Sequence, residues 1–151
     1  MERILTFPRK INMGHYEADA CLVWCFDVRF NPALEEFIKH KGLNPAKVDC
    51  VRTAGGAKGL AEGRSRRDSA LGDIEKSVLF HRAPLIILAN HRDCADYGIK
   101  FETPEKERDF HKRELNEARA SVEKFLDRNA LRNIAIETIF VDDEGILTPK
   151  R

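Results

Sequence analysis

Two stretches of this chain are apolar at every position, Ala20-Cys21-Leu22-Val23-Trp24-Cys25-Phe26 and Leu85-Ile86-Ile87-Leu88-Ala89. Neither alternates, so both faces of each must be covered, as in the strands of a parallel sheet. Between them, Asn31-Pro32 opens a short helix with a Leu34, Phe37, Ile38 stripe that Gly42 stops, and Lys47 to Arg52 predicts a further strand. Leu71, Ile74 and Val78 recur at helical spacing from Asp68, a predicted N-cap, to about Arg82. Thr103-Pro104 begins a long charged helix whose buried stripe is Leu115, Ala118, Val122, Phe125 and Leu126. A last, partly alternating strand runs over residues 133–141 into the turn Asp142-Asp143-Glu144-Gly145. Strands alternating with helices define an α/β fold, a mostly parallel β-sheet of order 2-1-3-4 flanked by helices and joined by right-handed crossovers.

Residues 1–19 have no period and read as an arm lying over the domain or over a partner subunit, and residues 20–151 as a single α/β domain. A length of 151 residues suits that count. With 26 basic against 25 acidic residues the net charge is +1, which gives no support for nucleic acid or a membrane surface as partner. The basic cluster Arg64, Arg66, Arg67 reads as a solvated loop. The N-terminus lacks the apolar core of a signal peptide, and no segment approaches the roughly 18 apolar residues of a membrane span, so a cytoplasmic location is expected. Cys21, Cys25, Cys50 and Cys94 all fall in or beside predicted strands, which suits metal or core roles in a reducing compartment better than disulfides. Cys21, Cys50 and Trp24 read as packing residues.

The chemistry gathers where the two apolar runs end. The first delivers Cys25, Asp27 and Arg29, which share a face if the chain stays extended; the second delivers His91 and, three residues on, Cys94. Open parallel sheets hold their ligand crevice outside the carboxyl ends of the strands, so both sets converge on one place. Two thiolates and an imidazole favour Zn²⁺, and three protein ligands with one open position is the pattern of a catalytic site. The glycine-rich turn Thr53-Ala54-Gly55-Gly56-Ala57-Lys58-Gly59 falls at the same edge, either to cradle an anion or simply as a tight turn.

Cys25-x-Asp27-x-Arg29 followed by His91-x-x-Cys94 resembles the zinc signature of the β-class carbonic anhydrases. Arg52-Thr53-Ala54-Gly55-Gly56 resembles that family's Arg-Asn-Ala-Gly loop, Ser69 to Cys94 its helix, strand and ligand segment, and Phe140 to Gly145 its last strand and turn. The resemblance spans roughly residues 20–147. It implies Zn²⁺ held by Cys25, His91 and Cys94, with Asp27 and Arg29 as the catalytic pair beside the open position. The implied activity is reversible hydration of carbon dioxide to bicarbonate by a zinc-bound hydroxide, in a homodimer or higher homo-oligomer.

Some positions depart from the family. The chain has no glutamine, although the family commonly uses one to bind substrate, and Ala95 and Thr53 replace a glycine and an asparagine. His15 and Tyr97 are the candidate replacement donors. A related linear substrate, carbonyl sulfide or carbon disulfide, and a non-catalytic zinc- or bicarbonate-binding role are the alternatives.

Overall fold

Five strands form one sheet in the order β2-β1-β3-β4-β5 in the computed structural model, which describes residues 14–61 and 66–148. They are β1 Ala20–Cys25, β2 Val48–Thr53, β3 Leu85–His91, β4 Ala135–Val141 and β5 Ile146–Leu147. The first four run parallel, with Leu22 beside Cys50 and Ile87, and His91 beside Val141. This is the expected order, extended by β5, which pairs antiparallel with β4. The intervening turn is closed by Asp142 Oδ1, which accepts from the backbone N–H groups of Glu144 and Gly145 at 2.9 Å each.

The non-alternating runs have the two-sided burial they require. On one face, Leu71 and Ile74 of α2 (Arg67–Phe80) and Leu115, Ala118 and Val122 of α3 (Pro104–Arg128) pack on Cys21, Val23, Ile86 and Leu88. On the other, Leu34 and Phe37 of α1 (Asn31–His40) cover Leu22, Trp24, Ile87 and Ala89. Each such large aliphatic side chain contributes about 1.5–3 kcal/mol on burial. Because α1 alone serves this second face and β2 is the sheet edge, Cys50 is exposed rather than a core residue.

The helix starts fall within two residues of their predicted caps, and among the three α-helices α3 has the side-chain cap its sequence announces. Thr103 Oγ1 accepts from the Lys106 N–H at 3.3 Å, with Pro104 as the first helical residue of α3. α2 begins at Arg67, so Asp68 lies in its first turn, where a carboxylate favours the helix dipole, instead of capping it. Asn31 is likewise already helical and accepts from Arg52.

At the amino end of the sheet, Asp49 accepts from Tyr16 Oη at 2.5 Å and Ser77 Oγ at 2.6 Å, and pairs with His81 Nδ1 at 2.8 Å. This ties the described end of the arm to β2 and α2. His15 stands here too, with its ring centroid 6.1 Å from that of His81. Residues 1–13 of the expected arm lie outside the described residues. Among the described residues no helix is long and apolar enough to cross a membrane.

Candidate metal centre

β1 and β3 are adjacent parallel strands, and they end at Cys25 and His91 on the same edge of the sheet. The chain then reverses through Asp93, at φ 52°, and brings Cys94 back toward Cys25. The ligating atoms of Cys25, His91 and Cys94 all lie within 4.8 Å of one another, with the two sulfurs 4.0 Å apart. All three side chains are buried.

His91 Nδ1 lies 2.7 Å from the Arg92 carbonyl oxygen, a bond that requires the proton on Nδ1 and leaves the Nε2 lone pair free. Nε2 is buried and has no hydrogen-bond partner. Such a group costs about 1–3 kcal/mol unless something binds it. Backbone N–H groups of Asp27 and Gly55 are directed at the Cys25 sulfur and that of Asp96 at the Cys94 sulfur, while the Tyr97 N–H donates to the Cys94 carbonyl oxygen at 3.1 Å. The Cys94 thiol as donor, opposed by burial and helped by the Asp27 and Gly55 N–H groups, holds the Cys25 thiol well below its usual range. Cys94 is correspondingly pushed up by Cys25 and by burial. With the two sulfurs 4.0 Å apart and Nε2 beside them, a cation between the three would satisfy both sulfurs and Nε2 at once. The donor set fits a divalent metal of borderline softness.

Two features secure this geometry from behind. Gly55 and Gly56 have φ of 76° and 58°, and a Cβ on Gly56 would stand 2.3 Å from the Ala89 carbonyl oxygen. The tight turn is therefore a steric requirement, and it also directs the Gly55 N–H at sulfur. Asn90, 1% exposed, accepts from the Ala57 N–H through Oδ1 at 3.0 Å and donates through Nδ2 to Tyr97 Oη at 2.9 Å. Tyr97 is thus committed to the protein interior, its ring edge-on to Phe110 and His111.

After Cys25 the chain does not stay extended. It turns through a single 3-10 turn, Val28–Phe30, whose N-cap is Asp27 accepting the Arg29 N–H at 3.0 Å. The turn still brings the expected pair together: Arg29 Nε and Nη2 donate to Asp27 Oδ2 at 3.0 and 2.7 Å. Arg29 holds the Asp27 carboxyl down at about 2. Asp27 Oδ2 lies 4.0 Å from His91 Nε2, beside the cluster.

A cleft of about 330 Å³ opens onto Cys25, Cys94 and Asp27, walled by Phe26, Val28 and Ala95. Behind its rim Asp96 accepts from Arg66 Nη2 at 2.7 Å and pairs with Lys58 at 3.1 Å. Arg66 is therefore a bridge between two loops, not part of a solvated cluster. His111 was missed from the sequence; it is 1% exposed, stacked on Phe140, and burial lowers its pKa to about 4. Its signal was spacing, since His111 stands four residues before Leu115 on the buried stripe of α3.

A family model described as "Putative carbonic anhydrase" matches residues 16–149. The chain belongs to this family, and its fold is that of the β-carbonic anhydrases. No curated protein matches it significantly. A carbonic anhydrase from Streptococcus mutans is 15% identical with a TM-score of 0.56, over 90% of this chain and 84% of that one. The apo form of a carbon disulfide hydrolase is 16% identical with a TM-score of 0.54, over 91% and 81%. A tetrameric β-carbonic anhydrase from Sordaria macrospora is 18% identical with a TM-score of 0.50, over 88% and 81%.

Proposed function

We propose that Cys25, His91 and Cys94 bind one Zn²⁺ and that the protein reversibly hydrates carbon dioxide to bicarbonate. The observation that carries this reading is the buried, unpartnered His91 Nε2 within 4.8 Å of two buried cysteine sulfurs. Zinc bound there would acidify a water and so supply a nucleophile near neutral pH. Asp27, with its carboxyl held at about 2, is ionised throughout the working range and would serve as the hydrogen-bond acceptor that orients a water held beside the ligand cluster toward the substrate. Arg29 keeps Asp27 ionised and in one orientation through the two-point contact a guanidinium makes with a carboxylate. Phe26, Val28 and Ala95 give the cleft an apolar wall suited to a small, linear, uncharged molecule.

That same wall, in a chain without glutamine, favours a second reading in which the substrate is carbonyl sulfide or carbon disulfide. The carbon disulfide hydrolase of the same fold gives it a precedent. Metal analysis joined to stopped-flow assays with carbon dioxide, carbonyl sulfide and carbon disulfide separates the readings. The expected result is about one zinc per chain and fastest turnover of carbon dioxide. A zinc-loaded protein inert toward all three would leave only metal or bicarbonate binding.

A further inference from the structure

Arg29 does more than face Asp27. Its Nη1 donates to Asp93 Oδ2 at 3.0 Å, and its Nη2 donates to the Asp93 carbonyl oxygen at 3.0 Å. The guanidinium is thus gripped on both edges, by Asp27 from the end of β1 and by Asp93 from the loop between His91 and Cys94. Asp93 is built to be there. Its φ of 52° is in the left-handed region, which aspartate tolerates better than most residues. Its N–H donates to Oε1 of Glu107 at 2.7 Å, and Glu107 is only 6% exposed. The preceding Arg92 N–H donates to the Val141 carbonyl at 2.8 Å, so the backbone entering the turn is fixed at two successive N–H groups.

We propose that Asp93 is a positioning residue: by holding the far edge of the Arg29 guanidinium, it fixes the orientation in which the near edge presents the Asp27 carboxylate beside the metal-ligand cluster. The proposal rests on the reading of Asp27 as the acceptor at that cluster. Its physical basis is that the two-point contact fixes the guanidinium relative to the Asp27 carboxylate but not relative to the loop that carries His91 and Cys94, and 53% of the Arg29 side chain is accessible. Asp93 ties the guanidinium to that loop at two points, through its backbone carbonyl and through a carboxylate that is itself 81% accessible. The anchor also ties the β1 end, which carries Cys25, to the segment that carries His91 and Cys94.

The decisive variant is Asp93→Gly, which keeps the left-handed backbone and the carbonyl acceptor but removes the carboxylate. The expected result is wild-type zinc content and melting temperature, loss of the slowly exchanging Arg29 Nε–H resonance in ¹H–¹⁵N spectra, and a kcat/KM reduced by about tenfold. Asp93→Asn, whose side-chain oxygen still accepts, should restore most of both signals. In an Asp27→Asn background, Asp93→Gly should change kcat/KM by less than about twofold, because the two act through one contact. An Arg29 resonance and rate unchanged in Asp93→Gly would overturn the proposal, as would an equal loss in the Asp27→Asn background. If the wild type bound no zinc or turned over no substrate, the functional reading would fail by itself, and the Arg29 resonance would still decide the role of Asp93.

Discussion

His91 and His111 are both 1% exposed, and their environments assign them different work. His91 keeps a free Nε2 against two sulfurs, so His91→Ala, like Cys94→Ser, should abolish zinc binding and lower the melting temperature. Zinc content by atomic absorption checks this; full occupancy in either variant would remove the residue from the ligand set. His111 instead lies among Phe140, Tyr97 and Phe110, where burial first and the nearby His91 second bring its pKa from 6.5 to about 4. The folded state therefore binds this proton less readily than the unfolded chain. Stability is fully present above about pH 6.5 and declines as the pH falls toward 4, by on the order of 3 kcal/mol across that window. His111→Phe should flatten the dependence. Denaturant titrations of the zinc-loaded protein at pH 7 and pH 5 would measure it, and equal slopes for variant and wild type would place the acid sensitivity elsewhere.

Elements read from uninterrupted apolar runs or a proline after a cap, namely β1, β3, α1 and α3, stand where the sequence puts them, because burial and capping are encoded within a few adjacent residues. The two-residue β5 carries too short a pattern to announce itself, and the exposure of Cys50 depends on how far α1 reaches, which no local pattern records. The same distinction divides the site. The thiols and imidazole were legible from position at strand ends, and the Asp27–Arg29 contact from their spacing, although a 3-10 turn and not an extended strand joins them. Asp93, Asn90 and Arg66 were not legible, since the contacts that bind them to the site, with Arg29, Ala57 and Asp96, span 30 or more residues. The Gly55-Gly56 turn left two readings open, and the structure answers with close approach to β3. Gly56→Ala, which combines a left-handed φ with a Cβ 2.3 Å from backbone oxygen, should cost about 3 kcal/mol or more and weaken zinc retention, because the turn aims the Gly55 N–H at Cys25. Chelator-competition and thermal melts would report both losses, and a wild-type result in the two would show that the turn can shift without consequence.

At the scale of the whole molecule, the candidate site is well backed and poorly covered. Phe26 and Val28, 62% and 70% exposed, stand on either side of Asp27 at the mouth of the cleft. An apolar pair beside a site that needs to exclude water is a surface awaiting a cover. A second copy of the chain can provide it, because a two-fold contact buries the pair on both subunits at once. The wild type is therefore expected to be a homodimer or larger at micromolar concentration, and Phe26→Ser with Val28→Ser should shift it to monomer while leaving the zinc ligands in place. Activity should fall while zinc content stays at about one per chain, since the cleft wall and not the metal has been damaged. Multi-angle light scattering run beside the stopped-flow assay makes the comparison. A wild type that is monomeric and fully active would show that the exposed pair needs no partner, and that the cleft works open to solvent.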